Sequence, residues 1–180
     1  MIGKKNNFRT GVLLAKFERS KVHMGLDIRA FKNLRKVENP ILDSDGYPED
    51  YDNQWLPDAS MDWSESIWKG KGYPVESNCI YEFEDVYSFP AGSYSGYNRW
   101  RDDLENFRGD VAFQELIDFA DNEGVIGSVL AQKLYDDFKN NHKDAIEYSK
   151  VINDDWFIRK YEDWMEAFNY ARQNGAVNFE

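Results

Sequence analysis

The chain has 180 residues, of which 16% are Phe, Tyr or Trp, and it carries a formal charge of −11 with a single cysteine, Cys79. That length suits one hydrophobic core, the aromatic supply argues against a disordered chain, and no apolar run reaches the roughly 20 residues that span a bilayer. A lone cysteine excludes an internal disulfide, so nothing points to an oxidising compartment and a cytoplasmic protein is expected.

The charge is unevenly spread. Residues 1–36 carry ten Lys or Arg against Glu18 and Asp27, whereas residues 37–180 carry twelve against thirty-one acids. An anionic body repels nucleic-acid phosphates and acidic lipid, and it attracts cationic surfaces, including those of proteins that bind nucleic acid. Direct contact with nucleic acid or membrane is therefore not expected.

Met1 to His23 reads as a basic N-terminal arm. It also reads as an extension ahead of a second start at Met24, because Glu18, Arg19 and Ser20 can be encoded by a purine-rich ribosome-binding site. Residues 24–180 are expected to form a single α+β domain. From Gly25 onward Leu26, Ile28 and Ala30 alternate with Asp27 and Arg29, the period of a half-buried strand.

A long acidic excursion, residues 38–76, follows. Its first part, Glu38 to Trp68, has nine acids, no Lys or Arg, three prolines and Trp55, Trp63 and Trp68. A loop of this length is uncommon in a compact domain without a use for it, so a functional excursion or a helical piece around Met61 to Trp68 is expected.

Strands are predicted at Ser77 to Phe83 and Val86 to Phe89, forming a hairpin or meander with the first strand. The period then becomes helical: Tyr97, Trp100, Leu104 and Phe107 share one face, with Ser95 and Gly96 as the cap. A second helix is predicted from Asp110 to Ala120, and a third with Ile126, Val129, Leu130, Leu134 and Phe138 inward. A fourth buries Phe157, Tyr161, Trp164, Phe168 and Ala171, starts at the acids near Asn153 and ends at Gly175, and a final strand spans Ala176 to Phe179. The expected fold is thus a small antiparallel sheet packed against about four helices in the C-terminal half.

Four blocks stand out: Met24-Gly25-Leu26-Asp27-Ile28, Ala91 to Arg101 (AGSYSGYNRWR), Phe119 to Gly127 (FADNEGVIG), and Asn174-Gly175-Ala176-Val177-Asn178-Phe179. In these blocks the chain resembles small proteins of phages and prophages that open with Met-Gly-Leu-Asp. The resemblance covers most of residues 24–180 and brings no activity or catalytic residue with it. It implies a mobile-element origin and a bacterial host cytoplasm.

Two constellations are candidates for function. In the first, Ser93, Ser95, Asn98, Arg99 and Arg101 gather at a predicted helix start, where free amides and guanidinium groups could hold a phosphate ester or other small anion, with Asp27 or Glu123 as acid or base. The competing reading is a capped turn whose arginines pair with nearby acids. Tyr94 occupies the nucleophile position of the apparent Gly-x-Ser-x-Gly elbow, and with only His23 and His142 in the chain a serine nucleophile lacks an evident base, so no catalytic residue is assigned.

In the second constellation, Trp55, Trp63 and Trp68 with Asp50, Asp52, Asp58, Asp62 and Glu65 form an acidic, tryptophan-bearing face suited to a basic host protein. The acids at Asp43, Asp45, Glu49, Asp50 and Asp52, and at Asp118, Asp121 and Glu123, match no known calcium loop. Aligning Gly46 or Gly124 with the loop glycine puts Ile41 or Phe119 at the first ligand position. No metal or cofactor is expected. The leading reading is a non-enzymatic phage or mobile-element protein that binds a basic host surface, with counter-defence or nucleic-acid mimicry as one form; the alternative is a ligand-binding protein or hydrolase using Gly92 to Arg101.

Overall fold

The computed structural model describes residues 25–57, 60–62, 69–120 and 124–180. The expected N-terminal arm, Met24, residues 121–123, and Asp58, Trp63, Glu65 and Trp68 lie outside these. In chain order the elements are β1 (Leu26–Lys32), β2 (Arg35–Lys36), β3 (Gln54–Trp55), β4 (Tyr81–Glu82), β5 (Asp85–Gly92), α1 (Tyr94–Arg108), α2 (Gln114–Ile117), β6 (Val125–Gly127), α3 (Ser128–Ile152), α4 (Asp155–Ala171) and β7 (Ala176–Phe179). The α+β expectation holds, with antiparallel sheets and these helices in the C-terminal half.

The side chains of a strand alternate between faces, and β1 uses both of its faces. It sits inside a four-stranded antiparallel sheet of order β5-β1-β7-β6, with Ile28 opposite Phe89 on one side and Phe179 on the other. Leu26, Ile28 and Ala30 join Phe89, Val177 and Phe179 against the helices, where Tyr97, Trp100, Phe138 and Trp164 are fully buried. The apolar stripe predicted for the last helix is buried from Phe157 to Ala171, and Asp154 caps it by accepting the Trp156 N–H at 2.8 Å.

Phe31 has the opposite parity and projects from the other face into a second core with Leu34, Trp55, Met61, Val75, Tyr81, Val125 and Ala176. Its ring stacks on that of Trp55 with centroids 4.5 Å apart. Gly175 lets the chain lie against β1 here, because a Cβ at this position would stand 1.8 Å from the Phe31 carbonyl oxygen. A three-stranded sheet of order β2-β4-β3 closes this side.

Several predicted elements need correction. The strand expected over Ser77 to Phe83 is reduced to Tyr81–Glu82 and belongs to the second sheet, where it pairs with β2 on one side and with β3 of the excursion on the other. The helix expected from Asp110 to Ala120 shrinks to four residues: Phe113 adopts φ 68° to bury its ring, and its N–H donates to the Asp137 carboxylate at 3.0 Å. Ile126 lies in β6 and Val129 faces solvent, so the inner face of α3 is instead Ala131, Leu134, Phe138, Ala145 and Ser149. Ser93, rather than Ser95, caps α1 by accepting the Gly96 N–H.

The second core makes a direct prediction. Trp55→Ala should destabilise the protein by about 3–5 kcal/mol in chemical denaturation, the usual cost of emptying a buried tryptophan site. A cost below about 1 kcal/mol would mean that the ring is not a structural anchor.

Candidate functional site

The Gly92 to Arg101 segment is used by the fold. Ser93 Oγ accepts the Gly96 N–H at 3.1 Å and lies 3.0 Å from Ser95 Oγ. The two arginines turn to different partners. Arg99 lies over the Trp156 ring and reaches Asp154 at 3.4 Å and Asp103 at 3.6 Å, while Arg101 lies over Tyr97 and donates to the Ile117 carbonyl at 2.8 Å and to Asn98 Oδ1 at 2.7 Å.

These arginines lock α1 to its neighbours. Asp27 sits on β1, where its backbone exchanges hydrogen bonds with Glu180, and Glu123 lies outside the described residues. The convergence expected for an anion site is thus not what Arg99 and Arg101 form.

The acidic excursion is built differently. Leu42 bridges to Pro48, the Glu49 N–H donates to the Ile41 carbonyl, and the Asp43 carboxylate accepts the N–H groups of Asp45 and Tyr47 at 2.9 and 3.0 Å. Gly46, with φ 85°, lets the chain reverse. The result is an ordered hairpin-like loop held to the second core through Trp55.

Trp55 itself is only 5% exposed, so it is an anchor and not a contact residue. This corrects its expected role, and the reason is physical: the flat apolar ring gains more by stacking on Phe31 than by standing in water among carboxylates. The aromatic and aliphatic groups that do face solvent are others. Ile41 is 70% and Tyr51 62% exposed, and Leu42 and Tyr47 are exposed beside them in sequence.

The acids of this loop also differ from those elsewhere. Many carboxylates beyond residues 38–62 have a cation at short range: Glu76 with Lys36, Glu84 with Lys32, Asp144 with Arg108, Glu180 with Arg29, and Glu115 and Asp137 with Lys133. The Lys36 ammonium, hydrogen-bonded to Glu76, holds that carboxyl below its ordinary range. By contrast Glu38, Asp45, Glu49, Asp50, Asp52 and Asp62 are all exposed and form no ion pair among the described residues.

A groove of about 580 Å³ is lined by residues of the loop. Val37, Asn39, Pro40, Ile41, Glu49, Asp50 and Gln54 line it together with Glu82 of the central strand β4. A cavity at the start of α3 holds Lys69, Lys71 and Lys133, but Glu115 lines it too and is bound to Lys133. Among the described residues no three His, Cys, Asp or Glu side chains gather as metal ligands would, and no helix is long and apolar enough to cross a membrane.

Asp50, Asp52 and Asp62, expected on the acidic face, are exposed, whereas Ile41, Leu42, Tyr47, Tyr51 and Glu82, also exposed, were not among the residues expected there. A signal was present: Ile41 and Leu42 follow Pro40 with neither strand alternation nor helical spacing, so no regular element could bury them. Searches of protein-family models, of curated proteins and of solved structures each find no match to the chain.

The Arg99 cluster yields a pH prediction. Burial, with Asp154 nearby, pushes the Asp103 carboxyl above its ordinary value and outweighs the opposing pull of Arg99. A raised carboxyl favours the fold while protonated and loses that advantage as pH rises through its folded value, so ionised Asp103 is a liability at neutral pH. Asp103→Asn should raise the melting temperature at pH 7 by about 1–2 °C, with a smaller gain near pH 4. A lower melting temperature at pH 7 would show that pairing with Arg99 dominates.

Proposed function

We propose that this protein is a non-enzymatic accessory protein of a phage or other mobile element that docks its acidic excursion onto a basic surface of a host protein in the bacterial cytoplasm. The observation that supports this is the pairing of features in one ordered loop. Carboxylates without a cation of their own stand beside solvent-facing Ile41, Leu42, Tyr47 and Tyr51.

Each half of that pairing has a separate job in recognition. Unneutralised charge steers a cationic partner into encounter and disfavours anionic competitors, while apolar and aromatic groups supply the area that water leaves on contact. A loop already ordered by Asp43 and anchored through Trp55 loses little further freedom on binding. A host surface that ordinarily meets nucleic acid is the natural target of such a face, and occupying it would amount to counter-defence by mimicry.

The test is affinity capture from bacterial lysate at about 50 mM and about 500 mM NaCl, conditions that differ strongly in screening. The native protein should retain basic proteins at the lower salt and release them at the higher, and the triple variant D45N/E49Q/D52N should retain far less. Capture that ignores salt, or that survives the triple variant intact, contradicts docking through this loop.

A further inference from the structure

The groove within the loop has a composition more specific than a charged surface. Its lining combines the apolar Val37, Pro40 and Ile41 with the carboxylates of Glu49 and Asp50. Glu82 adds a third carboxylate, placed beside Gln54 by the pairing of β3 with β4. Arg35 faces Glu82 from β2, yet the two form no ion pair among the described residues.

A long aliphatic stem ending in a cation matches this arrangement. Lysine and arginine bury their methylene chains along apolar surface while the charged head keeps polar company. A negatively charged head would meet three carboxylates, and a purely apolar one would strip water from them without return. At about 580 Å³ the groove has room for a side chain together with the backbone that carries it.

We propose that this groove seats a lysine or arginine side chain from an extended basic segment of the partner. The stem would lie along Val37, Pro40 and Ile41, and the head would be met by Glu49 or Glu82, with Asp50, which accepts a hydrogen bond from Asn53, adding charge nearby. This inference rests on the docking function proposed above and adds a definite contact to it. It also separates the carboxylates of the loop into two groups: those that grip a side chain and those, such as Asp45 and Asp52, that contribute only to the surrounding field.

The test uses a fluorescein-labelled decapeptide of alternating lysine and glycine, with binding followed by fluorescence anisotropy at low salt. Three variants are compared with the native chain, each checked for an unchanged melting temperature. E49Q/E82Q removes two charges inside the groove, D45N/D52N removes two outside it, and Asn39→Trp fills the groove without changing charge. The residues altered are exposed, and none of these side chains makes a hydrogen bond or ion pair among the described residues.

The proposal expects E49Q/E82Q and Asn39→Trp each to weaken binding at least about tenfold, the scale of a lost charge-assisted contact, and D45N/D52N to weaken it less than about threefold. Equal losses from the two charge pairs, with Asn39→Trp binding like the native chain, would overturn the groove and leave docking by the wider acidic surface standing. Absence of binding by the native chain at low salt would overturn both.

Discussion

The stacking of Phe31 on Trp55 is the contact on which the arrangement of this protein turns. β1 carries Leu26, Ile28 and Ala30 to the helical side, and one residue later the same alternation sends Phe31 the other way. A strand buried on a single face would have left a charged or polar residue there. Instead a fully buried ring meets a tryptophan from the middle of the excursion, and Gly175 keeps the chain leading into β7 close enough to β1 to seal the site. An aromatic pair of this kind adds about 0.5–1.5 kcal/mol to what burial of its area contributes.

That anchor explains how a segment so acidic is ordered at all. Six exposed carboxylates without cations repel one another, and the repulsion is tolerable only because the loop is fixed at its base by apolar burial and at its tip by the Asp43 turn. The two halves of the protein therefore treat charge in opposite ways. In the helical half, many acids are local partners for lysine and arginine, with Arg99 and Arg108 tying one element to another. In the excursion they are left facing water, beside apolar groups that a monomer gains nothing by displaying.

Much of the fold was legible in the sequence, and the misses have physical causes. The period of α1 and the stripe of α4 were readable because each helix buries one continuous face against one core, and β1 was readable from the period-two pattern of Leu26, Ile28 and Ala30, although its second buried face, at Phe31, was not. The second sheet was not, because its strands are two residues long and owe their pairing to an excursion that returns from far along the chain. The shortness of α2 was hidden by good helical spacing, which the left-handed Phe113 overrides to bury its ring. For the site, acidity was visible but the role of Trp55 was not, since composition tells a buried tryptophan from a contact tryptophan only once its neighbours are known. For Arg99 and Arg101 the sequence left open an anion site or a capped turn with arginines paired to nearby acids, and Arg99 does pair with Asp103 and Asp154 while Arg101 donates to Ile117 and Asn98.

The central claim is that the unneutralised, outward face of residues 38–57 is the part of the surface that meets cations. The most direct measurement is a backbone amide chemical-shift titration of the isotope-labelled protein with oligolysine at low ionic strength. The account predicts shifts concentrated in residues 37–57 and around Glu82, vanishing as salt is added. Shifts spread evenly over the exposed acids of the helical half, such as Glu147 and Asp155, would contradict it.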